Sequence, residues 1–148
     1  MIARAKFLTP VLALVAAGLA LAHVTVSPKE AKAGATQKYT MRVPNEKTVV
    51  NTRVEAEFPA NAEITAVDDL AGWKIELKKD AAGKITGAVW SGELEAKGFA
   101  EFTFSATNPK EETKLVWKVV QVYRDGSKSE WTGPAGSKGP APVTTIKP

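Results

Sequence analysis

Ala100-Glu101-Phe102-Thr103-Phe104-Ser105-Ala106 alternates apolar and polar side chains without a break, and Asn108-Pro109 ends the run as a turn. A period of two puts Phe102 and Phe104 on one face of an extended chain and Glu101, Thr103 and Ser105 on the other, the pattern of a strand with one buried face. The same scheme appears in Val54-Glu55-Ala56-Glu57-Phe58, stopped by Pro59, and in Trp73-Lys74-Ile75-Glu76-Leu77-Lys78, followed by the loop Asp80-Ala81-Ala82-Gly83. Further strands are expected over residues 23–26, 38–43, 85–90 and 143–146. The run Leu115-Val116-Trp117-Lys118-Val119-Val120-Gln121-Val122-Tyr123 is apolar on both faces for much of its length and reads as one central strand. Asp125-Gly126 then turns the chain back toward Glu130-Trp131-Thr132 as a hairpin. Gly133 to Pro140 reads as a loop or flexible connection. Many short strands, frequent turns, no internal repeat and almost no helical periodicity predict an all-β sandwich.

Upstream of the first strand the composition changes. Residues 1–6 carry Arg4 and Lys6 with no acid, and residues 7–21 are almost wholly apolar. This is the layout of a secretory signal peptide. The apolar run, interrupted by Thr9, Pro10 and Gly18, suits a spanning helix of about 20 residues poorly. Ala20 and Ala22 place small residues at the third and first positions before a cut, so the expected scissile bond joins Ala22 to His23. The expected organisation is a signal peptide over 1–22 and one domain over 23–148, whose 126 residues suffice for a hydrophobic core.

Processing would leave 18 basic against 16 acidic side chains, an excess too small and too dispersed to argue for nucleic acid or anionic membrane as partner. Cysteine is absent, so neither a disulfide framework nor a lipid-accepting cysteine is available. The expected location is periplasmic or secreted, without a membrane span.

One histidine and no cysteine exclude much chemistry. A blue-copper centre needs a thiolate and two histidines, and structural zinc needs several Cys and His ligands. Cysteine nucleophiles are impossible, and a Ser-His-Asp triad would have to use His23 at a chain terminus. No Gly-rich phosphate loop is present, and the adjacent acids Asp68-Asp69 and Glu111-Glu112 read as solvated turn residues. One chemistry remains if His23 becomes the first residue. Its free α-amine and its ring Nδ1 can then hold one metal ion from two sides, which an internal histidine cannot do. Nitrogen-rich tetragonal geometry suits Cu(II), which also heads the divalent affinity order. By position alone, a histidine near a cleavage site is also read as an incidental polar residue on an edge strand.

The residues Ala22-His23-Val24-Thr25-Val26-Ser27-Pro28, Tyr39-Thr40-Met41-Arg42-Val43-Pro44-Asn45-Glu46, Gly72-Trp73, Val89-Trp90, Phe99 to Phe104, Gln121-Val122-Tyr123-Arg124-Asp125-Gly126 and Glu130-Trp131 follow one another in a known order. In these blocks the chain resembles the YcnI-like copper-binding domains of bacterial exported proteins. The resemblance implies a single cupredoxin-like or immunoglobulin-like β-sandwich that binds one Cu(II) through the N-terminal histidine, an arrangement called a monohistidine brace. It also implies a carboxylate ligand at Glu46, with Glu30 and Glu130 as the other candidates, and a tryptophan lying against the copper at Trp131. Without the resemblance, Glu46 reads as a solvated loop acid beside Lys47, and Trp131 as core or rim packing.

The expected function is copper acquisition, delivery or homeostasis in the cell envelope, without enzymatic activity, since copper enzymes that cleave polysaccharides add a second histidine. Met41 is the sole methionine beyond the leader, so a methionine-rich Cu(I) site is unavailable. Other envelope copper chaperones or a membrane copper transporter are the expected partners. Two further readings stand beside this one: an envelope sandwich that recognises another protein or a surface polymer, with incidental metal binding, and a small-ligand carrier.

Overall fold

The alternating runs build two facing sheets whose inner side chains meet. The computed structural model describes residues 23–148. The expected leader over 1–22 lies outside the described residues. The strands are β1 (Thr25–Ser27), β2 (Glu30–Lys32), β3 (Thr36–Pro44), β4 (Asn51–Glu57), β5 (Glu63–Val67), β6 (Lys74–Lys79), β7 (Ile85–Leu94), β8 (Phe99–Thr107), β9 (Thr113–Val116), β10 (Lys118–Tyr123), β11 (Lys128–Trp131) and β12 (Val143–Lys147). One sheet has the order β1-β3-β8-β5, the second β11-β10-β4-β7-β6, and a smaller third β2-β12-β9. No helix among the described residues is long and apolar enough to cross a membrane.

The longest pairing joins β3 to β8, from Thr36 opposite Thr107 to Pro44 opposite Phe99. Its register sets Tyr39 beside Phe104 and Met41 beside Phe102, all four buried. From the other sheet, β4 pairs Val54 with Trp90 and Ala56 with Ala88, again on a buried face. The layers interlock through aromatic rings: Trp90 lies 4.8 Å from Phe102 and Trp117 lies 5.2 Å from Phe104, centroid to centroid. Burial of such side chains, at about 2–3 kcal/mol each, is what holds a fold without disulfides.

The run over 115–123 departs from its reading as one strand. The chain leaves the ladder at Trp117, so that β9 pairs with β12 in the small sheet while β10 lies between β11 and β4. Trp117 is the pivot: its amide donates to Pro142 O at 2.9 Å and its buried Nε1 donates to Thr144 Oγ1 at 3.0 Å. The alternation keeps its phase through the break, with Leu115, Trp117, Val119, Gln121 and Tyr123 buried and the outward valines left on the surface or half-covered. β10 is therefore interior to its sheet, as a central strand should be, although only one face is core. β2 and β5 had no strong sequence signal; β2 offers Ala31 as its single apolar side chain. The first strand begins at Thr25, leaving His23 just ahead of it. The connection over 133–140 is strapped down, with Gly133 N donating to Gly139 O at 2.8 Å and Ala141 N to Gly133 O at 2.9 Å.

Candidate metal site

β1 is the edge of the four-stranded sheet and β11 the edge of the five-stranded one. Val24 and Val26 are buried and anchor the first strand, which presents His23 at the mouth between the two edges. There the His23 ring rests against Trp131, with centroids 5.3 Å apart and planes tilted by 55°. Both residues are half-buried, so the imidazole has a wall on one side and solvent on the other.

The strand register brings Glu46 to the same end. β1 pairs antiparallel with β3, Thr25 opposite Arg42, so continuing two residues back sets His23 level with Pro44, the last residue of β3. Glu46 follows two residues later on a loop fixed by the fully buried Asn45. Asn45 Nδ2 donates to Val49 O at 2.9 Å and Leu94 O at 3.0 Å, and its Oδ1 accepts from Lys47 N at 3.0 Å. The Glu46 carboxylate is exposed, and no ion pair among the described residues engages it. Beside it, Lys47 Nζ donates to Ser127 Oγ at 3.1 Å and stands 4.3 Å over the Tyr123 ring. The Tyr123 phenol is pushed up by burial, with a smaller push from the Glu46 charge, against a hydrogen bond with Ser129.

A network of buried amides lies beneath. Trp131 Nε1 donates to Gln121 Oε1 at 2.8 Å, and Gln121 Nε2 donates to Pro44 O at 2.8 Å and Asn51 Oδ1 at 3.0 Å. The sequence reading named Trp131 but gave Gln121 and Asn51 no role. The available signal was a lone amide at an inward position among the valines of β10.

The structure thus brings His23 and Trp131 into contact and carries Glu46 on the adjoining loop. The other two carboxylates lie elsewhere: Glu30 pairs with Lys147 at 3.0 Å in the small sheet, and Glu130, on the face of β11 opposite to Trp131, is exposed. Among the described residues no three His, Cys, Asp or Glu side chains gather into a metal-binding group. A metal at this end would have to draw on few side chains and on the main chain. A shallow hollow of about 210 Å³ flanks the histidine, lined by Val24, Lys29, Ala141 and Pro142 among others. A larger one, about 480 Å³, lies away from it beside Glu63, Lys79 and Lys84.

Known proteins give this geometry a context. A family model described as "Domain of unknown function (DUF1775)" matches residues 23–146. The chain is 36% identical over 129 residues to "Copper-binding protein CutI" of Bacillus subtilis (strain 168), a match covering 86% of this chain and 63% of that protein. The chain thus spans less than two thirds of that relative's length. Among solved structures, an uncharacterized protein from Nocardia farcinica with an immunoglobulin-like fold superposes with a TM-score of 0.74 at 22% identity, over 85% of this chain and 99% of that one. A non-cellulosomal cohesin from Archaeoglobus fulgidus follows at a TM-score of 0.52 and 11% identity, over 85% and 91%. At these identities the likeness is one of fold, an immunoglobulin-like sandwich.

Proposed function

The chain belongs to the DUF1775 family, the YcnI family, and from that premise we propose that it is an exported Cu(II)-binding protein serving copper acquisition, delivery or homeostasis. The observation that carries the reading is the His23 ring held against Trp131 beside the loop of Glu46, in a chain with no other histidine. The name of the Bacillus subtilis relative supports copper as the cargo. Removal of residues 1–22 in the periplasm or outside the cell frees the His23 amine, which with Nδ1 forms a chelate. The Glu46 carboxylate supplies an oxygen and offsets part of the ion's charge, and Trp131 shields one face from water.

The donor set fits the oxidised ion. Amine, imidazole and carboxylate suit Cu(II), whereas Cu(I) prefers sulfur. Here cysteine is absent and Met41 is buried in the core. A one-electron donor outside the protein that reduced the ion to Cu(I) would therefore loosen it, for transfer to a copper chaperone or membrane transporter of the envelope. An α-amine with a reference pKa of about 8 must lose its proton to bind, so affinity falls in acid. The role is binding and transfer rather than catalysis. A protein-recognition role has weaker support: of the exposed large apolar residues among the described ones, Val116 and Val143 stand side by side across β9 and β12 as a patch of only two valines, while Leu77 on β6 and Phe99 on β8 lie in the other two sheets.

Titration of Cu(II) into protein beginning at His23, followed by tryptophan fluorescence, tests the reading. Saturation at one equivalent is expected, with quenching that Trp131→Phe largely removes although three other tryptophans remain. Equally tight binding by His23→Ala would overturn it.

A further inference from the structure

We infer that Gln121 is a positioning residue of the copper site, setting the distance between Trp131 and the loop that carries Glu46; the inference rests on the copper reading above. Gln121 is 1% exposed on a strand whose neighbours are valines. An amide buried without partners is destabilising, so an apolar side chain of the same volume would serve packing better. The polar ends are what a methionine could not supply.

Those ends reach different layers. Oε1 accepts from Trp131 at the edge of the five-stranded sheet, while Nε2 donates to Pro44 O at the end of β3 in the four-stranded sheet. Pro44 is the residue from which the Asn45-Glu46 loop departs. The second Nε2 proton goes to Asn51 Oδ1, and Asn51 is itself oriented by donating to Arg53 O and Val122 O, each at 2.8 Å. The orientation of the glutamine amide is determined: an indole N–H can only donate and a peptide carbonyl can only accept. Hydrophobic contact is non-directional and cannot fix the rotation of the Trp131 ring, whereas this pair of bonds does. Gln121 therefore bolts the tryptophan wall and the carboxylate loop to one another across the sandwich.

Hydrogen exchange by NMR on metal-free protein beginning at His23, followed by Cu(II) paramagnetic resonance, tests this. Gln121→Met keeps the volume and loses all three bonds, to Trp131, Pro44 and Asn51. The Trp131 indole proton should then exchange about tenfold faster, Cu(II) affinity should fall by about the same factor, and the copper hyperfine splitting should change. Gln121→Glu, held ionised at a pH well above the carboxylate range, retains an acceptor for the indole and removes the donors to Pro44 O and Asn51 Oδ1. In that variant Trp131 should stay protected while the Glu46 and Lys47 amides exchange faster. A methionine variant with a lower Tm but unchanged indole exchange and copper spectrum would overturn the inference, making Gln121 structural only. If the methionine variant does not fold, unchanged loop exchange in Gln121→Glu overturns it. Wild-type protein that takes no Cu(II) would overturn the copper role alone, because the metal-free exchange separately decides whether Gln121 couples the two sides.

Discussion

Replacing Asn45 by alanine tests whether the loop carrying Glu46 is set by one buried side chain. Three side-chain hydrogen bonds disappear: those to Val49 O and Leu94 O, and the one from Lys47 N. The backbone bonds of Asn45 with Gly98 and Lys97 remain. A part-buried bond contributes about 1 kcal/mol, and a buried carbonyl left without its donor costs somewhat more, so the loss sums to about 3 kcal/mol. In a domain of this size 1 kcal/mol moves Tm by about 4 °C, giving a fall of about 12 °C. Urea unfolding followed by circular dichroism should show a lower midpoint at unchanged slope, since the surface exposed on unfolding is the same. Asn45→Asp keeps the acceptor for Lys47 N but points a carboxylate at two carbonyl oxygens, and should lose still more at neutral pH. A loss below about 1 kcal/mol for Asn45→Ala would refute the reasoning, because water would then replace the amide at no great cost.

Trp90 Nε1 is buried with no acceptor among the described residues, whereas Trp117 Nε1 donates to Thr144. Trp117→Phe should therefore cost about 1 kcal/mol more than Trp90→Phe in denaturant unfolding, and an equal or reversed order would count against this. Burial pushes the Tyr39 phenol up to about 12, with the Asn108 hydrogen bond opposing, and Tyr123 is also raised. An unfolded tyrosine ionises near 10, so this stabilisation is complete below about pH 10 and is lost as pH rises toward 12. Tyrosinate absorbance and loss of circular dichroism should rise together, and ionisation near pH 10 in folded protein would contradict the assignment. A Cβ at Gly139 would collide with the Glu130 carbonyl oxygen. Gly139→Ala should then cost about 1–3 kcal/mol and shift the emission of Trp131, and a neutral variant would show that the strap yields freely.

The inner face of the sandwich was legible because period-two alternation over residues 100–106 and 54–58 translates directly into burial: Phe102, Phe104, Val54 and Ala56 all face the core. β2 was not, because its pairing with β12 does not come from its own apolar content, and in β5 a register shift between Ile64 and Ala66 breaks the short alternation. The break at Trp117 was hidden because a strand that changes sheets keeps its alternation; only Pro142 and Thr144, far along the chain, mark the crossing. For the site, His23 stood out by being single, and Glu46 and Trp131 entered through resemblance. Asn51 went unnamed, and Asn45 and Gln121 stood inside the blocks of resemblance without a role, because a buried amide is defined by its partners, and those lie up to 77 residues away along the chain.

The central claim is that the His23 amine and imidazole together hold the copper. Electron paramagnetic resonance with Cu(II) on two preparations tests it most directly: protein beginning at His23, and the same protein with one alanine added in front. The account predicts one equivalent with nitrogen-coupled signals in the first, and weak binding or a different spectrum in the second, whose histidine amine is tied up in a peptide bond. Identical stoichiometry and spectra in both would contradict it.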